Sequence, residues 1–278
     1  MKTLNRQRGA AGAWMLAIIV VLVLAFVAWR WLMFSPSSGS PEALPLPAAT
    51  LPATPSTAEK YPVSAIAHST PAPAASVVPD ADEVGARQSL LALPGAQGLA
   101  SLLDRPEMIQ RIVATIDALP GKRLSAKVLP VKPPAGTFQV TREGDTTVIA
   151  PGNAARYAPY LAIAERLDKD ALLGWYVQHY DEFDQAYRQL GYPTGHFNDR
   201  LVAVIDNLLQ SPEPATSPGL VARKGGWAYA NPKLESLSVG QKMMLRLPPA
   251  ERAKLRARLH QWRRALTGAT LPEAGASD

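Results

Sequence analysis

Residues 175–200 read WYVQHYDEFDQAYRQLGYPTGHFNDR, a stretch that gathers aromatics, two histidines and a run of carboxylates. Asp181, Glu182 and Asp184, with Asp199 beyond them, could include the acid and base of glycoside chemistry, which needs two carboxyls facing one cleft about 5 to 10 Å apart. Neighbours in sequence point in different directions around a helix, so the plainer expectation is a solvated face. His179 and His196 could join one of these acids around a metal, but no HxxxH or HExxH spacing links them. No metal and no cofactor is therefore expected. Tyr176, Tyr180, Phe183 and Tyr187 fall on one helical face at steps of three and four, a pattern of core packing before it is one of ligand binding.

The turn that follows, GYPTGHFN at 191–198, lies between two helical segments, and such loops are common places for binding residues. Tyr192, Thr194, His196, Asn198 and Arg200 are the candidate partner-binding residues, set against the plainer role of a structural interhelical turn. No GxSxG or SxxK is present, nor any Walker or dinucleotide glycine pattern, so serine hydrolases and nucleotide binders lack their mechanical parts. No catalytic residue is nominated.

These residues need a scaffold, and periodicity supplies one over residues 86–267. Residues 105–119 place Met108, Ile109, Ile112, Val113, Ile116 and Leu119 at helical steps, stopping at Pro120-Gly121. A hairpin is expected from the alternating runs at 138–142 and 146–149 about a Gly-Asp turn, and a second, irregular strand pair at 220–229. Asn153 can cap a helix through Leu167, and Asp168 a longer one reaching Leu190, closed by Gly191. Asn198 or Asp199 opens another to Gln210. From Pro248 a last helix carries Leu255, Leu259, Trp262 and Leu266 on one face, with Arg252, Arg256, Arg258, Arg263 and Arg264 largely elsewhere. Such a basic helix could touch anionic lipid or polymer, but it more simply packs one face and solvates the other. The expected fold is mostly α with one or two small β-hairpins, an α+β domain.

The rest of the chain is not globular in composition. Residues 10–29 form an unbroken run of apolar or small residues, long enough to cross about 30 Å of hydrocarbon as a helix. Residues 18–27 alone contribute roughly −4 kcal/mol to insertion. Trp14 at one end and Trp29, Trp31 and Phe34 at the other suit the two interfaces. Lys2, Arg6 and Arg8 keep the N-terminus cytoplasmic. A cleaved signal peptide would have a shorter apolar run and a small-residue cleavage site, whereas this run ends in Trp-Arg-Trp-Leu-Met-Phe. The expectation is a cytoplasmic segment at 1–9, a transmembrane helix at 10–34 in contact with the lipid bilayer, and a periplasmic remainder of a bacterial inner-membrane protein.

Residues 35–85 are built from Pro, Ala, Ser and Thr, a composition expected to stay disordered. About fifty such residues reach on the order of 150 Å fully extended, or nearer 40 Å as a coil. A short disordered tail is expected at 268–278. Cysteine is absent, which excludes disulfides and thiolate metal sites. The net charge of +6 is spread along the chain, so no nucleic-acid partner is expected.

Four segments in order, ALPGKRLSAKVLPVKPPAGTFQV (118–140), NAARYAPYLAIAERLD (153–168), FDQAYRQLGYPTGHFNDRLVAVIDNLLQSPEP (183–214) and LESLSVGQKMMLRL (234–247), resemble the bacterial domain-of-unknown-function family numbered 3014. The resemblance implies a membrane-anchored envelope protein and brings no activity, ligand or catalytic residue with it. The function expected from anchor, spacer and missing motifs is a non-enzymatic binding or scaffolding module for an envelope protein or polymer, of unknown oligomeric state. The alternative is a cell-wall glycan hydrolase or transferase using carboxylates in 181–199.

Overall fold

The computed structural model describes residues 58–67, 83–103, 105–224 and 226–268. The expected membrane span at 10–34 and the terminal tail lie outside them, apart from Gly268. No helix among the described residues is long and apolar enough to cross a membrane.

The helices follow the apolar spacing. α1 (Val63–Ala67), α2 (Glu83–Ala92) and the single turn α3 (Leu99–Leu102) precede α4 (Met108–Ala118). α4 buries Met108, Ile109, Ile112, Val113 and Ile116, the stripe expected from sequence. Its N-terminus is satisfied from α2, where the Glu83 carboxylate accepts from the amides of Met108 and Ile109. A negative charge there also complements the helix dipole.

A short 3-10 turn (Ala126–Val128) leads to β1 (Val140–Glu143) and β2 (Thr146–Ile149), which pair antiparallel in register Val140↔Ile149 through Glu143↔Thr146. Gly144 opens their two-residue turn at φ +58, the left-handed region that glycine enters without penalty. β3 (Leu220–Arg223) and β4 (Gly226–Tyr229) form the second hairpin, and Thr147↔Leu220 joins the pairs into one antiparallel sheet, β1-β2-β3-β4. The two hairpins expected separately are thus one sheet, because neither buries enough surface alone. Leu220, Tyr229 and Leu245 form its small core with Phe138, Trp227 and Leu234.

α5 (Asn153–Arg166), α6 (Lys169–Gln178), α7 (Tyr180–Gln189), α8 (Phe197–Leu209), α9 (Pro232–Glu235), α10 (Val239–Arg246) and α11 (Pro249–Leu266) complete the domain. Three expectations need correction. Asn153 is inside α5 rather than capping it: its side chain accepts from Gln139 N at 3.0 Å and donates to Gln139 O at 2.7 Å, tying the hairpin to the helix. Asp168 does cap α6, accepting from Ala171 N at 2.8 Å, but the helix ends at Gln178. His179, with φ −103 and ψ 18, separates it from α7. And α8 begins at Phe197, so Asn198 lies within it.

α8 is the centre of the molecule. It packs on α4, α7, α10 and α11 and buries Phe197, Asn198, Leu201, Val202, Val204, Ile205 and Leu208. Gly240 lets α10 come close: a Cβ there would stand 2.4 Å from Leu208 Cδ2, while its N–H donates to Leu119 O at 2.9 Å.

Part of the tract expected to be a disordered linker is in the core. Residues 58–67 lie against α6 and α11, with Val63 at 8 % exposure and Ile66 at 0 %. The physical reason is local: Tyr61, Val63 and Ile66 give this stretch the large apolar side chains that its Pro/Ala/Ser/Thr surroundings lack.

Candidate docking site

The candidate loop residues divide into two groups. Gly191, at φ +119, turns the chain out of α7. Tyr192 is 39 % exposed and stacks on Tyr187 with ring centroids 4.5 Å apart. Thr194 is exposed, and His196 is half-buried at the N-terminal boundary of α8. Arg200 is held on α4, Nε to Asp117 Oδ1 at 2.8 Å and Nη2 to Asp117 O at 2.8 Å. Asn198 is 0 % exposed, which removes it from any outward surface. Of the five, Tyr192 and Thr194 face out, while Asn198 and Arg200 face in.

Asn198 does bind a peptide, but the peptide is this chain's own residues 59–61. Its Nδ2 donates to Tyr61 O at 2.8 Å and to Leu266 O at 3.0 Å, and its Oδ1 accepts from Tyr176 Oη at 3.3 Å. Asp199 beside it accepts from the amides of Lys60 at 2.9 Å and Tyr61 at 2.8 Å, one on each carboxylate oxygen. Two consecutive amides and a carbonyl are therefore held by two adjacent side chains in the first turn of α8. The helix dipole favours the Asp199 charge there. Sequence-distant backbone is recognised through its peptide groups, while Val63 and Ile66 anchor it apolarly.

Tyr180 closes the other side. Its hydroxyl lies 3.2 Å from Glu59 Oε1 and 3.4 Å from Asp184 Oδ1, and it accepts from Asn198 N at 3.3 Å. A phenol has one proton to donate, so the two carboxylates share one donor. Burial, and then the neighbouring Asp184 and Glu59, push this hydroxyl well above its ordinary range, and Tyr176 is raised by burial as well. Both stay neutral donors at any physiological pH. Asp206 and the Tyr61 side chain both hydrogen-bond Arg263 of α11, which completes the wall of the groove.

Of the carboxylates that the alternative reading would use for glycan chemistry, Asp184, Glu182 and Asp199 each have a local task, and Asp181 lies at the surface. Asp184 accepts from Phe197 N at 2.9 Å and pairs with Arg188 at 2.5 Å; Glu182 meets His179 Nδ1 at 3.1 Å; Asp199 holds the strap. No group of three or more His, Cys, Asp or Glu able to hold a metal occurs among the described residues.

Sequence reasoning missed Ser89. Its Oγ lies 3.1 Å from His179 Nε2, whose Nδ1 meets Glu182, giving the order serine, histidine, acid. The oxygen sits within α2, however, 2.9 Å from Gly85 O and receiving Trp175 Nε1 at 3.1 Å. With its donor and acceptor capacity taken up inside a helix, the trio clamps α2 to α6 and α7.

The family model described as protein of unknown function, DUF3014, matches residues 108–263. The chain belongs to the DUF3014 family. No curated protein and no solved structure matches it. The DUF3014 match contains Tyr180, Asn198 and Asp199, the walls of the groove, and leaves out residues 58–67 that fill it. Receptor and occupant thus come from different parts of the chain.

Proposed function

We propose that this DUF3014 protein is a non-enzymatic docking module held at the inner membrane by residues 10–34, N-terminus in the cytoplasm, with its helical domain in the periplasm. The groove of α6, α7, α8 and α11 recognises a short peptide whose pattern is that of residues 59–66, an acid, an aromatic and two aliphatics. The observation that carries this is the grip of Asp199 and Asn198 on the backbone of Lys60 and Tyr61. Backbone-directed hydrogen bonds to the non-helical residues before α1, with apolar anchors on the helix itself, combine two general modes of peptide recognition. In the ground state the chain's own segment fills the groove in cis, at the high effective concentration that a short connection gives. An envelope protein bearing a like segment, or a second copy of the chain, takes its place in trans.

The test is a labelled peptide of residues 58–67 added to the full chain and to a Tyr61→Ala, Ile66→Ala variant whose own strap is weakened. Binding to the variant, little to the parent, and loss on adding Asp199→Ala are expected. Absence of binding to a folded variant would overturn the proposal.

A further inference from the structure

The strap meets the groove at one place where charge opposes it. Glu59 is half-buried, and the Tyr180 hydroxyl, 3.2 Å from its Oε1, is its one hydrogen-bond partner among the described residues. The same hydroxyl lies 3.4 Å from Oδ1 of the buried Asp184. The sum of those two distances, 6.6 Å, is the most that can separate the carboxylate oxygens. No cation pairs with Glu59 among the described residues. Lys60 Nζ lies instead 5.0 Å over the Tyr61 ring, and Arg188 is taken by Asp184 Oδ2 at 2.5 Å.

Tyr180 cannot serve both acids. Its oxygen already accepts from Asn198 N at 3.3 Å, and it has one proton to give. Asp184 is held by other donors, Phe197 N at 2.9 Å on Oδ1 and Arg188 on Oδ2. Glu59 has no such second donor, so whenever the proton turns to Asp184 a half-buried carboxylate is left unpaired beside another. Burial first, and then the charges of Asp184 and Glu59, hold the Tyr180 and Tyr176 hydroxyls up, and Asp199 adds to this at Tyr176. An amide of the same shape removes the conflict. Its carbonyl accepts from Tyr180, while its N–H groups give to the free lone pair of Tyr180 Oη or to an Asp184 oxygen.

We propose that the groove prefers an occupant with an amide at the place of Glu59, so that its trans partner is a segment of another protein carrying glutamine there, followed by the aromatic and two aliphatics of the strap. This rests on the docking reading above. The first position is read by shape and hydrogen bonding, and the charge of Glu59 is a handicap that keeps the chain's own segment displaceable. A partner in trans lacks the covalent connection that favours the strap and must bind better per contact to win. The amide supplies such a margin, whereas a second copy brings the same Glu59 and gains none.

The experiment measures the affinity of two labelled peptides, residues 58–67 unchanged and with Glu59→Gln, for the full-length Tyr61→Ala, Ile66→Ala variant. The Glu59→Gln peptide is expected to bind about tenfold tighter, the scale of one like-charge contact at a part-exposed position. Adding Asp184→Asn to the variant keeps an acceptor for Phe197 N and should bring that ratio toward one. In the full chain with its own strap intact, Glu59→Gln should slow tryptic cleavage after Lys60 about tenfold, each rate taken relative to that of the matching free peptide. That measurement keeps the test alive if the Asp184→Asn variant does not fold. Equal or weaker binding of the Glu59→Gln peptide, a ratio unmoved by Asp184→Asn, or cleavage that is not slowed would overturn the preference, while binding of the unchanged peptide would leave the docking reading standing. Binding of neither peptide to the folded variant would remove both.

Discussion

Ile66→Ala separates a docked strap from an integral part of the core. Ile66 is fully buried, and truncating such a side chain costs about 2–5 kcal/mol where the surroundings cannot collapse. Here the loss has a ceiling. Once residues 58–67 leave the groove, no further contact of theirs can be lost, so the penalty stops at the free energy of docking. What changes first is the population of released strap, and Lys60 reports on it. The bond after Lys60 leads into Tyr61, whose amide is tied to Asp199, so trypsin reaches it when the segment is out. Cleavage then follows the open population. A loss of about 2–3 kcal/mol raises that population about 30- to 150-fold, at tenfold per 1.4 kcal/mol. The assay is the rate of cleavage at Lys60 in the full chain, beside the Tm of the domain. Faster cleavage by that factor with a small change in Tm is expected. An unchanged rate would show that the strap is not docked in solution. A fall in Tm with cleavage only on global unfolding would make the strap inseparable from the fold and end the idea of exchange.

Gly95→Ala should be among the most damaging small substitutions. At φ +84 a Cβ there would stand 1.9 Å from Arg166 O, and the backbone strain alone is about 1–3 kcal/mol, readable as a lowered urea midpoint. Stability should fall as pH rises above about 10, where unfolded tyrosines ionise while the buried ones do not. Tyr187 is pushed up to about 12 by burial, and Tyr157, Tyr160 and Tyr229 are raised by burial too, so this contribution is whole below pH 10 and lost on the way to 12 and beyond. Phenolate absorbance equal to ionisation of these four tyrosines, reached without loss of structure, would contradict it. A fluorophosphonate probe should leave Ser89 unlabelled, because its oxygen is engaged by Trp175 and the α2 carbonyls; a covalent adduct at Ser89, found by mass spectrometry, would make the trio a hydrolytic one.

Helices whose apolar spacing is regular were legible: the α4 stripe and the aromatic series of Tyr176, Tyr180, Phe183 and Tyr187 turn inward as expected. Even the break at His179 leaves that series intact, since the residues on both sides of it still reach one core. The break itself has no sequence signal, because Tyr176 to Tyr187 keeps helical periodicity through it. Asn198 misled for a chemical reason. An asparagine near a Gly-rich turn suggests a surface cap, and only the arrival of Tyr61 O and Leu266 O makes its burial affordable. Arg252 misled in the same way, placed on the solvated face although it continues the stripe of Leu255 and Leu259 by a step of three. The strap was hidden by the composition of residues 35–85 taken together. Within them, EKYPVSAI at 59–66 is a local enrichment of charge, aromatic and aliphatic residues that a shorter window would have found.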